Sequence, residues 1–234
     1  MSHTASASAK KAMEAVRSRT HRYATLLFAE LLLMLIYPFF TGIDFRRQVF
    51  RVAAIILFSA ALYAVLGKGR LTLIAFCLGT PAILTRLLNV ITHAAVFAMA
   101  DEVLGLAFMI FVTSVLVWTI LADASVTTDT LAGAVSAYML IGLTFGLAYM
   151  LIGHLVPGSF RDTIEPGKQL SPTEYTFFSF VTLTTTGYGD IVPWLPHARA
   201  LAMIESIIGI MYPALLISRL VGLHSRKRDA GEEH

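Results

Sequence analysis

Seven consecutive residues, Thr184-Thr185-Thr186-Gly187-Tyr188-Gly189-Asp190, carry the chemistry of this chain. They follow a semi-apolar run, Tyr175 to Leu183, and precede Ile191-Val192-Pro193. Alternating glycines admit backbone conformations closed to other L-residues, so consecutive carbonyls can be turned toward one axis. Tyr188 can pack outward as a strut, and the Thr185 hydroxyl adds one more oxygen below the carbonyls. Four such strands around an axis would replace the water shell of a monovalent cation with protein oxygens. That is desolvation chemistry, not bond making. No metal-ligand cluster, nucleophile elbow, phosphate loop or dinucleotide fingerprint is found in the sequence, and no enzyme activity is expected.

Such a segment needs elements to hold it, and the composition says where they lie. Of 234 residues, 56% are hydrophobic and 14% charged, with a mean hydropathy of +0.72. Soluble domains are roughly a quarter charged, so an all-α integral membrane protein is expected. Cys77 stands alone, which excludes an intrachain disulfide. Residues 1–22, with Lys10, Lys11, Arg17, Arg19 and Arg22, form a polar basic arm with no cleavable signal peptide apparent. The net charge of +3 gathers at the two ends, which points to anionic lipid and away from nucleic acid.

Six apolar stretches are near the roughly 20 residues that cross a bilayer core. The first runs from about Tyr23 to Phe40, with Pro38 near its end. It contains Glu30, a carboxylate expected to pair with a polar group on a neighbouring helix. Asp44, Arg46, Arg47 and Arg51 lead into the second, from about Phe50 to Leu66. After the basic turn Gly67-Lys68-Gly69-Arg70, the third covers about Leu71 to Val90. Pro81 should kink it, and Arg86 is expected to snorkel to the interface. The fourth, from about Ala95 to Leu121, has Asp101 and Glu102 in its first turns and no Arg or Lys at all. Residues 122–130 read as a polar linker with Asp123 and Asp129, and the fifth span, about Leu131 to Val156, is rich in Gly and Ala. Small residues there allow close helix approach in lipid.

Pro157 to Leu170 reads as a largely solvated turret. Ser171-Pro172 then opens a short helix to about Leu183, with Ser as N-cap, Pro at the first position and Glu174 three residues after the cap. A half-helix ending inside the membrane turns its negative end toward a cation, and irregular backbone is tolerated at that depth only when buried in protein. The sixth span runs from about Ala198 to Gly222, with Gly209 and then Pro213 as a bending point, and Arg219 and Arg226–Arg228 beyond. A packing glycine with a static kink is the alternative to a hinge. Glu205, one turn before Gly209, either braces the short helix through Thr182 or Ser179 or faces the cavity; bracing is favoured. Trp194 and Tyr212 read as interface anchor and packing residue, and His197 as a solvated loop histidine.

Thr185-Thr186-Gly187-Tyr188-Gly189 resembles the T-V-G-Y-G filter of potassium channels, with Thr in place of Val. The resemblance to the potassium channel superfamily is strong over about Leu131 to Gly222 and loose before it. It implies six transmembrane helices, a re-entrant pore helix and filter, and a homotetrameric pore. Potassium, the permeant ion and not a cofactor, would meet the Thr185 hydroxyl and the carbonyls of Thr185, Thr186, Gly187 and Tyr188, with Gly189 completing the motif. Thr184 and Asp190 would flank them, Asp190 as a ring at the outer mouth. In many relatives that Asp is tied by Trp or Glu from the pore helix. Here Phe177, Phe178 and Val181 stand at the matching positions, so Asp190 is expected to be less tethered. The Gly209 spacing from Gly187 is that of the inner-helix hinge of simple two-helix potassium channels.

The implied organisation is a basic cytoplasmic arm (1–22), four helices (23–121) in the place of a voltage sensor but without gating charges, a linker (122–130), the pore (131–222) and a short tail (223–234). A dozen residues after Gly222 are too few for a nucleotide-binding regulatory domain, so gating of that type would need a separate protein. Both termini should be cytoplasmic in a cell membrane, although Arg46, Arg47 and Arg51 then sit outside. A weakly selective cation channel and a non-conducting membrane sensor or transport subunit are the alternatives. A secondary transporter would show repeats that this chain lacks.

Overall fold

The computed structural model describes residues 22–36, 43–65, 69–92, 95–122 and 127–232. The basic arm before Arg22, Pro38, Phe40, the Leu66–Lys68 turn, Asp123 and the last two residues lie outside the described residues, as do the side chains of Asp44, Arg46, Arg47, Arg51 and Arg226–Arg228. The described chain is mostly helical: α1 (Arg22–Ile36), α2 (Ile43–Val65), α3 (Arg70–Thr92), α4 (Ala95–Ala122), α5 (Thr128–Leu155), α6 (Pro172–Leu183) and α7 (Pro196–Glu232). One antiparallel ribbon joins β1 (Phe160–Asp162) to β2 (Ile191–Pro193), with Arg161 opposite Val192.

Among the described residues, four helices are long and apolar enough to cross a membrane, over Arg70–Asn89, Val96–Ala122, Thr128–Leu155 and Pro196–Gly222. The 15 described residues of α1 rise only about 23 Å, short of the roughly 30 Å core. α6, with 12 residues, is shorter still and ends within the protein. α5 starts earlier than its apolar run because Thr127 and Thr130 form a reciprocal capping box one turn ahead of it. α7 runs without a break through Gly209 and Pro213.

Helices α1 to α4 pack each on the next, and both α1 and α4 lie against α5. Polar ties mark that seam along its length. Asp129 Oδ1 accepts from the Ala24 amide at 3.3 Å. Ser136 Oγ donates to the fully buried Glu30 at 2.9 Å, the pairing expected from sequence. The Thr113 and Thr144 hydroxyls meet at 3.0 Å, and Glu102 meets His154 Nδ1 at 2.8 Å. At the other end, Arg219 of α7 donates to the Ile120 carbonyl at the end of α4.

Arg86 corrects an expectation. It does not snorkel: it is 8% exposed, its Nε bonds Asp101 Oδ1 at 2.8 Å, and its guanidinium lies 4.5 Å from the Phe58 ring centroid. A partner on the next helix outweighs the pull of the interface, because a paired charge no longer needs water.

Candidate functional site

The site is built at the end of α6. Its start has the expected cap: the Ser171 amide donates to Glu174 Oε2 at 2.6 Å, and Glu174 N donates back to Ser171 Oγ at 3.4 Å. Glycines of α5 admit α6 at close range. A Cβ at Gly146 would lie 3.0 Å from the Thr176 Cα, and one at Gly153 would lie 2.0 Å from the Tyr175 hydroxyl. The far end of α6 is held from both sides. Tyr138 Oη donates to the Leu183 carbonyl at 3.2 Å. A Cβ at Gly209 of α7 would come within 2.0 Å of that same oxygen. The close approach of α7 to the end of α6 thus requires glycine at position 209.

After Leu183 the backbone changes hand at every second residue. Thr185 has φ 58°, Gly187 60° and Gly189 79°, whereas Thr186 and Tyr188 keep negative φ. Thr185 is the one non-glycine at positive φ among the described residues. For a β-branched residue this costs about 1–2 kcal/mol, so the surroundings must impose it. They do so through α6: Thr185 N donates to the Thr182 carbonyl at 3.0 Å, and both Thr186 N and Gly187 N donate to Val181 O at 2.9 and 3.3 Å. Thr184 Oγ1 gives its single proton to Phe180 O at 2.7 Å. In its 2.9 Å contact with Thr186 Oγ1 it must then accept. The Thr that replaces Val thus makes a side-chain bond to Thr184.

All six residues from Thr184 to Gly189 are exposed on a single chain, between Leu183 at 1% and Ile191 at 7%. Tyr188, 70% exposed, stacks on Phe177 of α6 with centroids 6.1 Å apart. A Cβ at Gly187 or Gly189 would meet nothing within 4 Å. Backbone conformation, not crowding within the chain, is what demands glycine there.

Glu205 of α7 is fully buried behind α6. Ser179 Oγ donates to its Oε1 and Tyr149 Oη to its Oε2, both at 2.5 Å. Ser179 Oγ also lies 2.6 Å from Gly142 O. Of the two partners foreseen for Glu205, Ser179 is met and Thr182 is not; Tyr149 was not foreseen. Tyr212, on the same helix, donates to Ala134 O at 2.9 Å and stacks on Tyr138.

The turret is not a plain solvated loop. Phe160, 8% exposed, sits among Tyr149, Tyr175 and Phe178 with centroids 5.3 to 5.5 Å away. β1 thereby pairs with β2 just beyond the glycines. Asp162 Oδ1 accepts from the amides of Ile164 and Glu165 at 2.8 and 2.9 Å. Those bonds, the Glu165 amide first, hold its carboxyl below the usual aspartate range. Lys168 bridges Glu174 and Glu165 at 2.9 and 3.2 Å, which raises its pKa. Thr163 Oγ1 contacts Gly189 O at 2.8 Å and Asp190 O at 3.0 Å, and its amide donates to Asp190 O at 2.8 Å. The Asp190 carboxylate accepts from the Ile191 amide at 2.9 Å. An aromatic and an Asp-x-x-Glu turn inside a polar loop were the sequence signals for this hairpin. His197 is likewise not merely solvated: its Nε2 lies 2.9 Å from Ser159 Oγ. Trp194 carries Arg161 over its ring at 3.6 Å.

Residues 138–224 match the family described as ion channel. Protein LctB of Geobacillus stearothermophilus is 32% identical over 131 residues, 49% of this chain and 93% of that protein. The inward rectifier potassium channel Kirbac3.1 of Paramagnetospirillum magnetotacticum is 32% identical over 89 residues, 38% of this chain and 28% of that protein. Two pore potassium channel c of Oryza sativa subsp. japonica is 34% identical over 85 residues, 36% of this chain; the match spans only 17% of its length. No solved structure matches the chain significantly.

Proposed function

The chain belongs to the ion channel family, and we propose that four copies of it form a potassium-selective pore with Thr185 to Gly189 as the filter. It is a membrane channel protein, not an enzyme. The observation that carries the finer reading is the alternation of positive φ at Thr185, Gly187 and Gly189 at the end of a half-helix. In a regular strand successive carbonyls point to opposite sides. Alternating hand turns them to one side, so four strands offer rings of oxygens in place of the ion's water.

In this reading potassium meets the Thr185 hydroxyl and the carbonyls of Thr185, Thr186, Gly187 and Tyr188. The C-terminal end of α6 adds negative potential below them, and Asp190 forms the outer ring. Ions pass in single file, down their gradient. Four chains are required because one chain supplies one strand, and the exposed Thr184–Gly189 segment is the surface they would share. α4 carries no Arg or Lys from Ala95 to Leu121, so it has no charge to move through the field. In this reading the front helices complete a six-span subunit with both termini on the cytoplasmic side of the cell membrane, the filter's Asp190 end facing out.

The test is a potassium-gradient flux in liposomes holding the purified full chain, with sodium replacement and a Gly187→Ala control. Gly187 has φ 60° and open space around it, so Ala acts through backbone strain of about 1–2 kcal/mol in each of four strands. Flux that prefers potassium and disappears in Gly187→Ala is the expected result. Equal sodium flux would replace this reading with a weakly selective cation channel.

A further inference from the structure

We propose that Thr163, in the loop between α5 and α6, is the positioning residue for the outer end of the filter. The inference rests on the filter reading above and adds to it the group that holds Gly189 and Asp190. Three contacts converge there: Thr163 Oγ1 with Gly189 O at 2.8 Å and Asp190 O at 3.0 Å, and Thr163 N with Asp190 O at 2.8 Å. The filter residues are joined to Thr163 through space across 26 and 27 positions of sequence. Phe177, Phe178 and Val181 of α6 cannot do this work, because they have no hydrogen-bonding side-chain atom.

Thr163 is itself held. Phe160 is locked among Tyr149, Tyr175 and Phe178, which fixes β1 to both α5 and α6. Pairing of Asp162 with Ile191 sets the register of the two strands. The Asp162 carboxylate caps the Ile164 and Glu165 amides, so the residue between Asp162 and Ile164 has little freedom. The hydroxyl is therefore presented by a rigid hairpin, not by a loose loop. Engagement of Gly189 O by Thr163 leaves the carbonyls from Thr185 to Tyr188 as the ion ladder and makes Gly189 its anchored end.

The experiment compares Thr163→Val, which keeps the branched shape and the amide bond but removes the hydroxyl, with Thr163→Ser, which keeps the hydroxyl. Both are read by potassium over sodium flux in liposomes and by how long flux persists when outside potassium is replaced by sodium. Thr163→Val should lower the potassium preference about five- to tenfold, the scale of one lost hydrogen bond shared between the two carbonyls, and shorten persistence; Thr163→Ser should match the wild type. A Thr163→Val protein as selective and persistent as wild type overturns the proposal, as does a Thr163→Ser protein equally impaired. If Thr163→Val does not assemble, Asp162→Ala, which frees the turn without touching the filter, takes its place: a shift in the same direction supports the clamp and an unchanged protein overturns it. A wild type without potassium preference counts against the filter itself, whereas a selective wild type with an indifferent Thr163→Val counts against the clamp alone.

Discussion

Glu205 and Thr186 are two residues whose side-chain chemistry is defined by their hydrogen-bond partners. Glu205 accepts from Tyr149 and Ser179 in a site with no exposure. Ser179 has a second acceptor, Gly142 O, so it can give its proton there and accept from an amide. Glu205→Gln should therefore fold and conduct nearly as wild type. Glu205→Leu strands the Tyr149 hydroxyl and should cost about 1–3 kcal/mol, read as a lowered thermal midpoint of the detergent-solubilised protein. Equal midpoints for the two variants would sink the bracing role. At Thr186 the side chain bonds Thr184, whereas the proposed filter uses the carbonyl. Thr186→Val should keep potassium preference in the flux assay, and a loss of preference would mean that this hydroxyl, not the carbonyl alone, sets the ion site.

Two elements carry predictions of opposite kinds. The α7 helix touches the end of α6 through Gly209, and a Cβ there would meet a backbone carbonyl at 2.0 Å, which cannot swing away as a side chain would. Gly209→Ala should push the helices apart at a cost of roughly 1–3 kcal/mol or more, lowering stability along with flux. A hinge-only glycine would instead change gating with an unchanged thermal midpoint. In the front helices Arg86, Asp101 and Phe58 form one buried unit. Asp101→Leu leaves a buried cation and should cost about 3–5 kcal/mol, while the double variant Arg86→Met with Asp101→Leu, compared with both single variants, should be close to neutral. Additive losses in that double-mutant cycle would show that the two side chains act independently.

The single chain leaves a set of apolar surfaces open around the filter. Tyr188 and Phe177 stack in the open, and Met203, Ile204, Ile207, Ile210 and Met211 of α7 are exposed. Exposed apolar helix faces can lie in lipid, but strained polar backbone cannot; in the proposed pore the Thr184–Gly189 segment would be covered by the other copies of the chain. Native mass spectrometry of the purified protein should give four chains, and a monomer or dimer as the only species would remove the basis of a four-strand filter. The front helices are bound to the outer helix of their own chain, with polar pairs at Asp129, Ser136, Thr144 and His154. A perturbation of that bundle therefore reaches α5 directly.

The membrane class and the motif were legible in the sequence because both are local. Apolar runs of spanning length, the Ser171-Pro172-Glu174 cap and the Thr-Thr-Gly-Tyr-Gly segment each depend on residues close in the chain. Glycine at alternate positions announced the change of hand, although Thr185 at φ 58° did not announce itself, since its own propensity opposes that conformation. What tertiary structure alone decided is which polar groups meet across the helices. Arg86 looked like an interface residue until Asp101 stood beside it, Glu205 gained Tyr149 from 56 positions away, and a solvated turret became the hairpin that holds Gly189. In apolar surroundings a polar side chain is governed by whichever partner removes its need for water. That partner is set by helix packing, which sequence spacing does not encode.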